Sequence, residues 1–166
     1  MKSLALLTAL VGAFGTVACA GKIPPEQRAR LAVVRSVRFG PDSGAPSQVR
    51  NDCRLGEELL EELADETRRY ITIRLVGDHS GVPGRVLAMR FTRVEGVGSN
   101  ESGASSITLI GRLLEDGEVI GAFTAQRSSE QSGDTCEVLG RIVDVLADDV
   151  AGWLRNPTPD AILGGL

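Results

Sequence analysis

Cys53 and Cys136 each stand where an amphipathic helix is expected to begin, about eighty residues apart. Bonded cysteines need Cα atoms within about 7 Å of each other. If these two are joined, the two helices must start side by side. For the first helix, Asn51 or Asp52 offers an oxygen to the free N–H groups of the opening turn. Leu55, Leu59 and Leu63 then recur along one stripe, with Leu60 beside them. The second helix opens at Asp134-Thr-Cys-Glu137, a capping-box-like run with Asp134 as cap. Leu139, Ile142, Val143, Leu146, Val150, Trp153 and Leu154 form its broad apolar face, and Asn156-Pro-Thr-Pro159 stops it. Two neighbouring helices with one apolar stripe each are most simply buried on the same face of one sheet. A bridge closing a loop of this size is worth roughly 4–5 kcal/mol on chain-entropy grounds. Two separate buried thiols are the alternative.

The rest of the chain supplies that sheet. Leu31, Val33, Val37 and Phe39 alternate along a first strand, and Gly40 to Ser47 reads as a loop. After the first helix, Ile71, Ile73 and Leu75 alternate with Thr72 and Arg74. Gly81-Val-Pro-Gly84 turns the chain into a strand over Arg85 to Val94. A Gly/Ser/Asn-rich loop, Gly96 to Ser105, precedes the next strand, Ser106 to Leu114. Asp116-Gly117 between Leu113-Leu114 and Val119-Ile120 is a strong hairpin signal, with the second arm reaching about Gln126. The order β-α-β-β-β-β-α predicts an α+β two-layer sandwich: a mixed sheet of about five strands with two helices on one face. The first two strands, joined through a helix, should be parallel with a right-handed crossover, and strands joined by short turns antiparallel.

The leader explains an odd count of three cysteines. Lys2 precedes an apolar run from Leu4 to Phe14, which suits a signal-peptide core and falls short of the roughly 20 residues that span a bilayer. Thr16-Val-Ala-Cys19 at its end resembles a bacterial lipobox, in which an acylated Cys19 becomes the mature N-terminus. Thr16 departs from the usual Leu. Cleavage after Ala20 is the competing reading. Either way Cys53 and Cys136 remain as a pair in an oxidising compartment, where a disulfide is the default. Ala20 after the modified cysteine resembles the pattern sorted to the outer membrane of a two-membrane bacterium. The expected divisions are 1–18 signal peptide, 19–30 lipidated tether carrying Pro24-Pro25, 31–156 α+β periplasmic domain and 157–166 C-terminal tail.

At 166 residues, with 42% hydrophobic and 24% charged residues, the chain fits one ordinary domain. A net charge of −4 argues against nucleic acid as a partner. Removing residues 1–18 takes away Lys2 and no acidic residue, so the mature chain is more acidic still. The carboxylates Glu57, Glu58, Glu61, Glu62, Asp65 and Glu66 follow the spacing of a solvated helix face, relieved by Arg54, Arg68 and Arg69. His79-Ser80-Gly81 lacks the flanking glycines of a nucleophile elbow, and His79 reads as a loop residue. No second His or Cys cluster has metal-ligand spacing, so neither zinc nor any cofactor is expected. No catalytic residue emerges.

Alternate residues on the sheet face away from the helices gather Ser36, Arg38, Thr72, Arg74, Arg90, Thr92, Thr108, Arg112 and Thr124, with Val76, Ile110 and Ile120 among them. Arg74, Arg90 and Arg112 are the candidate docking residues. Such a face is either a solvated antiparallel surface or a contact for an anionic partner, since guanidinium suits carboxylate and phosphate.

The strand–helix–four-strand–helix order, the hairpin Leu113-Leu-Glu-Asp-Gly-Glu-Val-Ile120 and the closing Leu146-Ala-Asp-Asp-Val-Ala-Gly-Trp-Leu154 carry a family resemblance. Over Leu31 to Leu154 the chain resembles small bacterial envelope lipoproteins of the TolB amino-terminal-domain type, a group similar to auxiliary lipoproteins of transport and secretion systems. The resemblance implies a non-catalytic periplasmic domain that assembles with other envelope proteins, copies of itself included. It implies attachment to the membrane through the lipid and transfers no binding residue. A binding module for a small molecule or anionic glycan, using the Arg/Thr face or the Gly96–Ser105 loop, is the alternative.

Overall fold

A computed structural model describes residues 24–96 and 104–165. A short 3-10 turn, Pro25–Gln27, leads into β1 (Ala29–Val34), followed by β2 (Arg38–Phe39), α1 (Ser47–Asp52), α2 (Leu55–Thr67) and β3 (Ile71–Val76). Then come β4 (Arg85–Glu95), β5 (Ser105–Glu115), β6 (Glu118–Ser129), α3 (Thr135–Trp153) and β7 (Ala161–Leu163). The architecture is an α+β sandwich with helices on one face of a mixed seven-stranded sheet, ordered β3-β1-β4-β5-β6-β7, with β2 alongside β4. Two strands more than expected arise from two causes. The first strand breaks at Arg35–Val37, and β2 moves across to pair with β4. The expected tail also contributes β7, which pairs parallel to β6. Trp153 Nε1 and Ala122 N both donate to Thr158 O, at 3.3 Å each, and so steer that segment back to the sheet.

β1 is parallel to β3, as a strand–helix–strand unit requires. The expectation of antiparallel β3 and β4 fails. β4 is parallel to β1 on the other side, so the link 77–84 crosses β1 instead of making a tight turn. Val82 in that link packs on Ala32, Val76 and Val86, a small apolar cluster separate from the main core. The hairpin between β5 and β6 forms at Asp116-Gly117, both with positive φ (50° and 92°), as a type I′ turn needs.

The main core lies between sheet and helices: Leu31, Val33, Leu87, Phe91, Leu109 and Leu113 meet Leu59, Leu63, Leu139, Val143 and Leu146. Gly111 is required beneath the Phe123 ring, because a Cβ there would come within 2.2 Å of the ring. Phe123 in turn meets Trp153 edge-on at 5.0 Å between centroids. Arg127 of β6 forks onto Asp149 of α3 at 2.8 and 2.7 Å, tying sheet to helix.

Both helices are held at both ends. Cys53 and Cys136 are bonded, with Cα atoms 5.2 Å apart. Cys136 lies in the first turn of α3, whose N-cap Asp134 accepts from Cys136 N and Glu137 N. Glu137 does not complete a capping box, because its carboxylate pairs with Arg141 at 2.6 Å. Cys53 is not in the first turn of α2. It follows α1, which takes up Asn51 and Asp52, and α2 begins at Leu55 without a side-chain cap. At the far end Tyr70, just past α2, donates its hydroxyl to Ala151 O of α3 at 2.7 Å. The helices therefore run side by side in the same direction.

Two outcomes follow from this packing. The double variant Cys53→Ser/Cys136→Ser should lose about 2–5 kcal/mol in denaturant unfolding, and thiol labelling of the unreduced, denatured protein should detect neither cysteine. The second concerns Glu58, whose carboxyl is held above its ordinary range by partial burial and then by Asp144. A raised carboxyl favours the fold fully below the unfolded value of 4.5, and that benefit is lost as pH rises through the folded value. Glu58→Gln should therefore raise thermal stability at pH 7, by under about 0.5 kcal/mol, and the gain should vanish near pH 4, read from melts across pH.

Candidate docking face

With the helices on one side, the other side of the sheet is covered, among the described residues, only where the link 77–84 packs on Ala32, Val76 and Val86. Register fixes what it shows, since residues paired across strands share a face. Arg38 pairs with Arg90, Arg90 with Ile110, Ile110 with Thr124, and Thr124 with Ile162. One step along, Ala88 pairs with Arg112, and Arg112 with Ala122. Arg74 pairs with Ala32 on the same face.

Arg74, Arg90 and Arg112 are all exposed on this face, but they do not form one cluster. Arg74 on β3 is three strands from Arg112, about 16 Å by strand spacing and rise. The Ala32–Val76–Val86 cluster and the link 77–84 lie on this side between them. Arg38 stands beside Arg90 instead, so the compact group is Arg38, Arg90 and Arg112. Among the described residues none of Arg38, Arg74, Arg90 and Arg112 has a carboxylate within ion-pair distance, whereas Arg85 pairs with Glu115 and Arg93 with Glu95. Like charges directly opposite across two strands repel. Water or an anionic partner must offset the repulsion between Arg38 and Arg90.

Beside Arg90 and Arg112 is a shallow pocket of about 270 Å³. Ala88, Ile110, Leu114 and Val119 give it an apolar lining, and His79 from the link 77–84 joins the arginines around it. His79 is an exposed loop residue, as its sequence setting indicates. Its place in the pocket was hidden in the sequence, because only the crossing of β1 carries that link to this side. Within the same link the Ser80 backbone N–H donates to Asp78 Oδ1 at 2.6 Å.

Two bulges revise the expected face. Thr92 is the extra residue between Phe91 and Arg93, so Arg93 pairs with Thr108 and Val94 turns into the core. The phase change from Phe91 to Val94 in the apolar alternation is the sequence signal for it. A second shift puts Val119 opposite Leu114 and leaves Ile120 at the bulge. Ser36 falls in the link between β1 and β2. At the upper end the charges compensate one another: Glu95 accepts from Ser106 Oγ at 3.0 Å and pairs with Arg93 at 2.8 Å. The Ser106 hydrogen bond, then Arg93, hold its carboxyl below the ordinary range.

Among the described residues no three His, Cys, Asp or Glu side chains are grouped as metal ligands. What the face offers chemically is guanidinium and apolar contact, groups suited to an anionic surface. Cys19, residues 1–18 and most of the Gly96–Ser105 loop lie outside the described residues.

No family model matches the chain, and no curated protein matches it. Solved structures do. XCC0632 from Xanthomonas campestris, of the family DUF330, is similar with a TM-score of 0.57 at 16% identity, over 78% of this chain and 85% of that one. An uncharacterized protein is similar with a TM-score of 0.52 at 13% identity, over 76% and 92%. The PelC dodecamer from Paraburkholderia phytofirmans gives a TM-score of 0.46 at 13% identity, over 74% and 86%. At these identities the likeness is one of fold, to small bacterial domains of the DUF330 kind, and it does not single out the TolB amino-terminal-domain type.

Proposed function

We propose that this chain is a lipid-anchored bacterial envelope protein whose domain is a non-catalytic accessory or scaffold subunit. It docks an acidic surface of another envelope protein on Arg38, Arg90 and Arg112. The observation that carries the docking is three exposed guanidiniums without a carboxylate partner among the described residues, two of them, Arg90 and Arg112, lining an apolar pocket. The anchor is supported by the Thr16–Cys19 run at the end of the leader. The pocket beside His79 favours one second reading, a binding module for a small anionic molecule or glycan.

Cell fractionation of wild type and Cys19→Ser tests the anchor. Wild type should partition with membranes through its acyl chain, and recovery of wild type as a soluble periplasmic protein would refute it. For docking, Arg90→Gln/Arg112→Gln should abolish crosslinking to a discrete envelope protein in intact cells while stability moves by under about 0.5 kcal/mol. Unchanged crosslinking sinks the docking face. Loss of retention on an anionic glycan column, with no protein partner crosslinked, supports the binding module instead.

A further inference from the structure

Among the described residues five large apolar side chains are exposed, and four of them, Leu75, Val119, Ile120 and Ile162, belong to the sheet. The fifth is Val145, 45% exposed on α3. Asp144 precedes it and Asp148 follows one turn on, both exposed. Neither carboxylate has a cation within ion-pair distance among the described residues. Arg141, one turn before Val145, is neutralised by Glu137 at 2.6 Å, and Arg127 by Asp149 at 2.7 Å. Across the helix pair Asp144 also repels the carboxylate of Glu58. This flank of α3 is therefore acidic around one apolar side chain.

The docking face is its inverse. The pocket beside His79 has an apolar lining of Ala88, Ile110, Leu114 and Val119, and Arg90 and Arg112 line it too. Arg90 pairs with Ile110, two residues before Arg112. The two arginines are thus diagonal neighbours on one face, about 7–8 Å apart. Asp144 and Asp148, four residues apart on a helix, are spaced by about 6 Å. That difference is well within the reach of an arginine side chain. Charge, spacing and apolar content match together.

We infer that the docking face receives the α3 flank of a second copy of this chain. Asp144 and Asp148 pair with Arg90 and Arg112, and Val145 enters the apolar pocket beside them. The inference rests on the docking reading of those arginines and names their partner. The two surfaces belong to opposite layers of the sandwich. Two copies therefore cannot satisfy each other reciprocally. Each copy offers one surface to each of two neighbours, a heterologous contact that continues into a ring or an open chain.

The test uses the full chain carrying either of two tags, co-expressed and extracted in mild detergent, with one tag captured and the other detected. Wild-type copies should co-purify, and less so as salt is raised. Arg90→Glu/Arg112→Glu sets glutamates against aspartates, and Asp144→Arg/Asp148→Arg sets arginines against arginines. Each variant alone should lose self-capture by at least about ten-fold, because facing like charges exclude a partner. Co-expressing the two variants should restore capture between them, since the glutamates of one then face the arginines of the other. Melting curves should confirm that both are folded, and Asp144→Asn/Asp148→Asn, which should also weaken capture, serves where a reversal fails to fold. Wild-type copies that do not co-purify, unchanged self-capture in the folded variants, or no rescue in the mixture overturns the inference. Absent self-capture together with an arginine-dependent crosslink to a different protein would overturn it and leave the docking reading standing. Self-capture and crosslinking both indifferent to Arg90→Gln/Arg112→Gln would sink the two together.

Discussion

The bond between Cys53 and Cys136 sets two helix starts side by side, and most of the molecule follows from that placement. Parallel neighbouring helices bring like dipole ends together, which is unfavourable unless the ends are compensated. The beginning of α3 is compensated by Asp134, and its last carbonyls by Tyr70 and by the turn after Trp153. With both ends fixed, the leucine stripes of α2 and α3 can only bury against the same side of the sheet. Among the described residues no helix covers the opposite side. Every candidate contact on that side depends on this asymmetry.

The same layering sorts the charge. Glu57, Glu61, Glu62, Asp144 and Asp148 are exposed on the helix layer, while Arg38, Arg74, Arg90 and Arg112 are exposed on the sheet. A chain of net charge −4 therefore carries a basic face, and overall charge describes neither side of it. The two layers are a sheet–helix spacing apart, about 10 Å, comparable to the Debye length at physiological salt. A partner approaching the sheet meets mainly the arginines.

Much of this was legible in the sequence. Leucine periodicity gave both helices, Asp134 gave a helix start, and Asp116-Gly117 gave the hairpin. The candidate arginines do share one exposed face. The features without a sequence signal share a physical cause, dependence on distant pairing and not on local pattern. Whether the link 77–84 turns back beside β3 or crosses β1 depends on which strand edge is free. Arg38 stands by Arg90 because β2 pairs across to β4, and β7 forms because β6 offers an open edge. The bulge at Thr92 was the exception, since the switch in apolar alternation between Phe91 and Val94 is written in the chain.

The position of β1 has a mechanical consequence. It is the first strand in the chain, yet it lies inside the sheet, hydrogen-bonded to β3 on one side and β4 on the other. Tension entering through the chain before Ala29 acts along the strand, so it shears the bonds on both flanks together and does not unzip them singly. The disulfide lies beyond β1 in the chain and locks the loop from Cys53 to Cys136 against extension. A domain tugged from its amino end would first have to shear its first strand from two neighbours, and only the residues before Cys53 could then be paid out before the covalent stop.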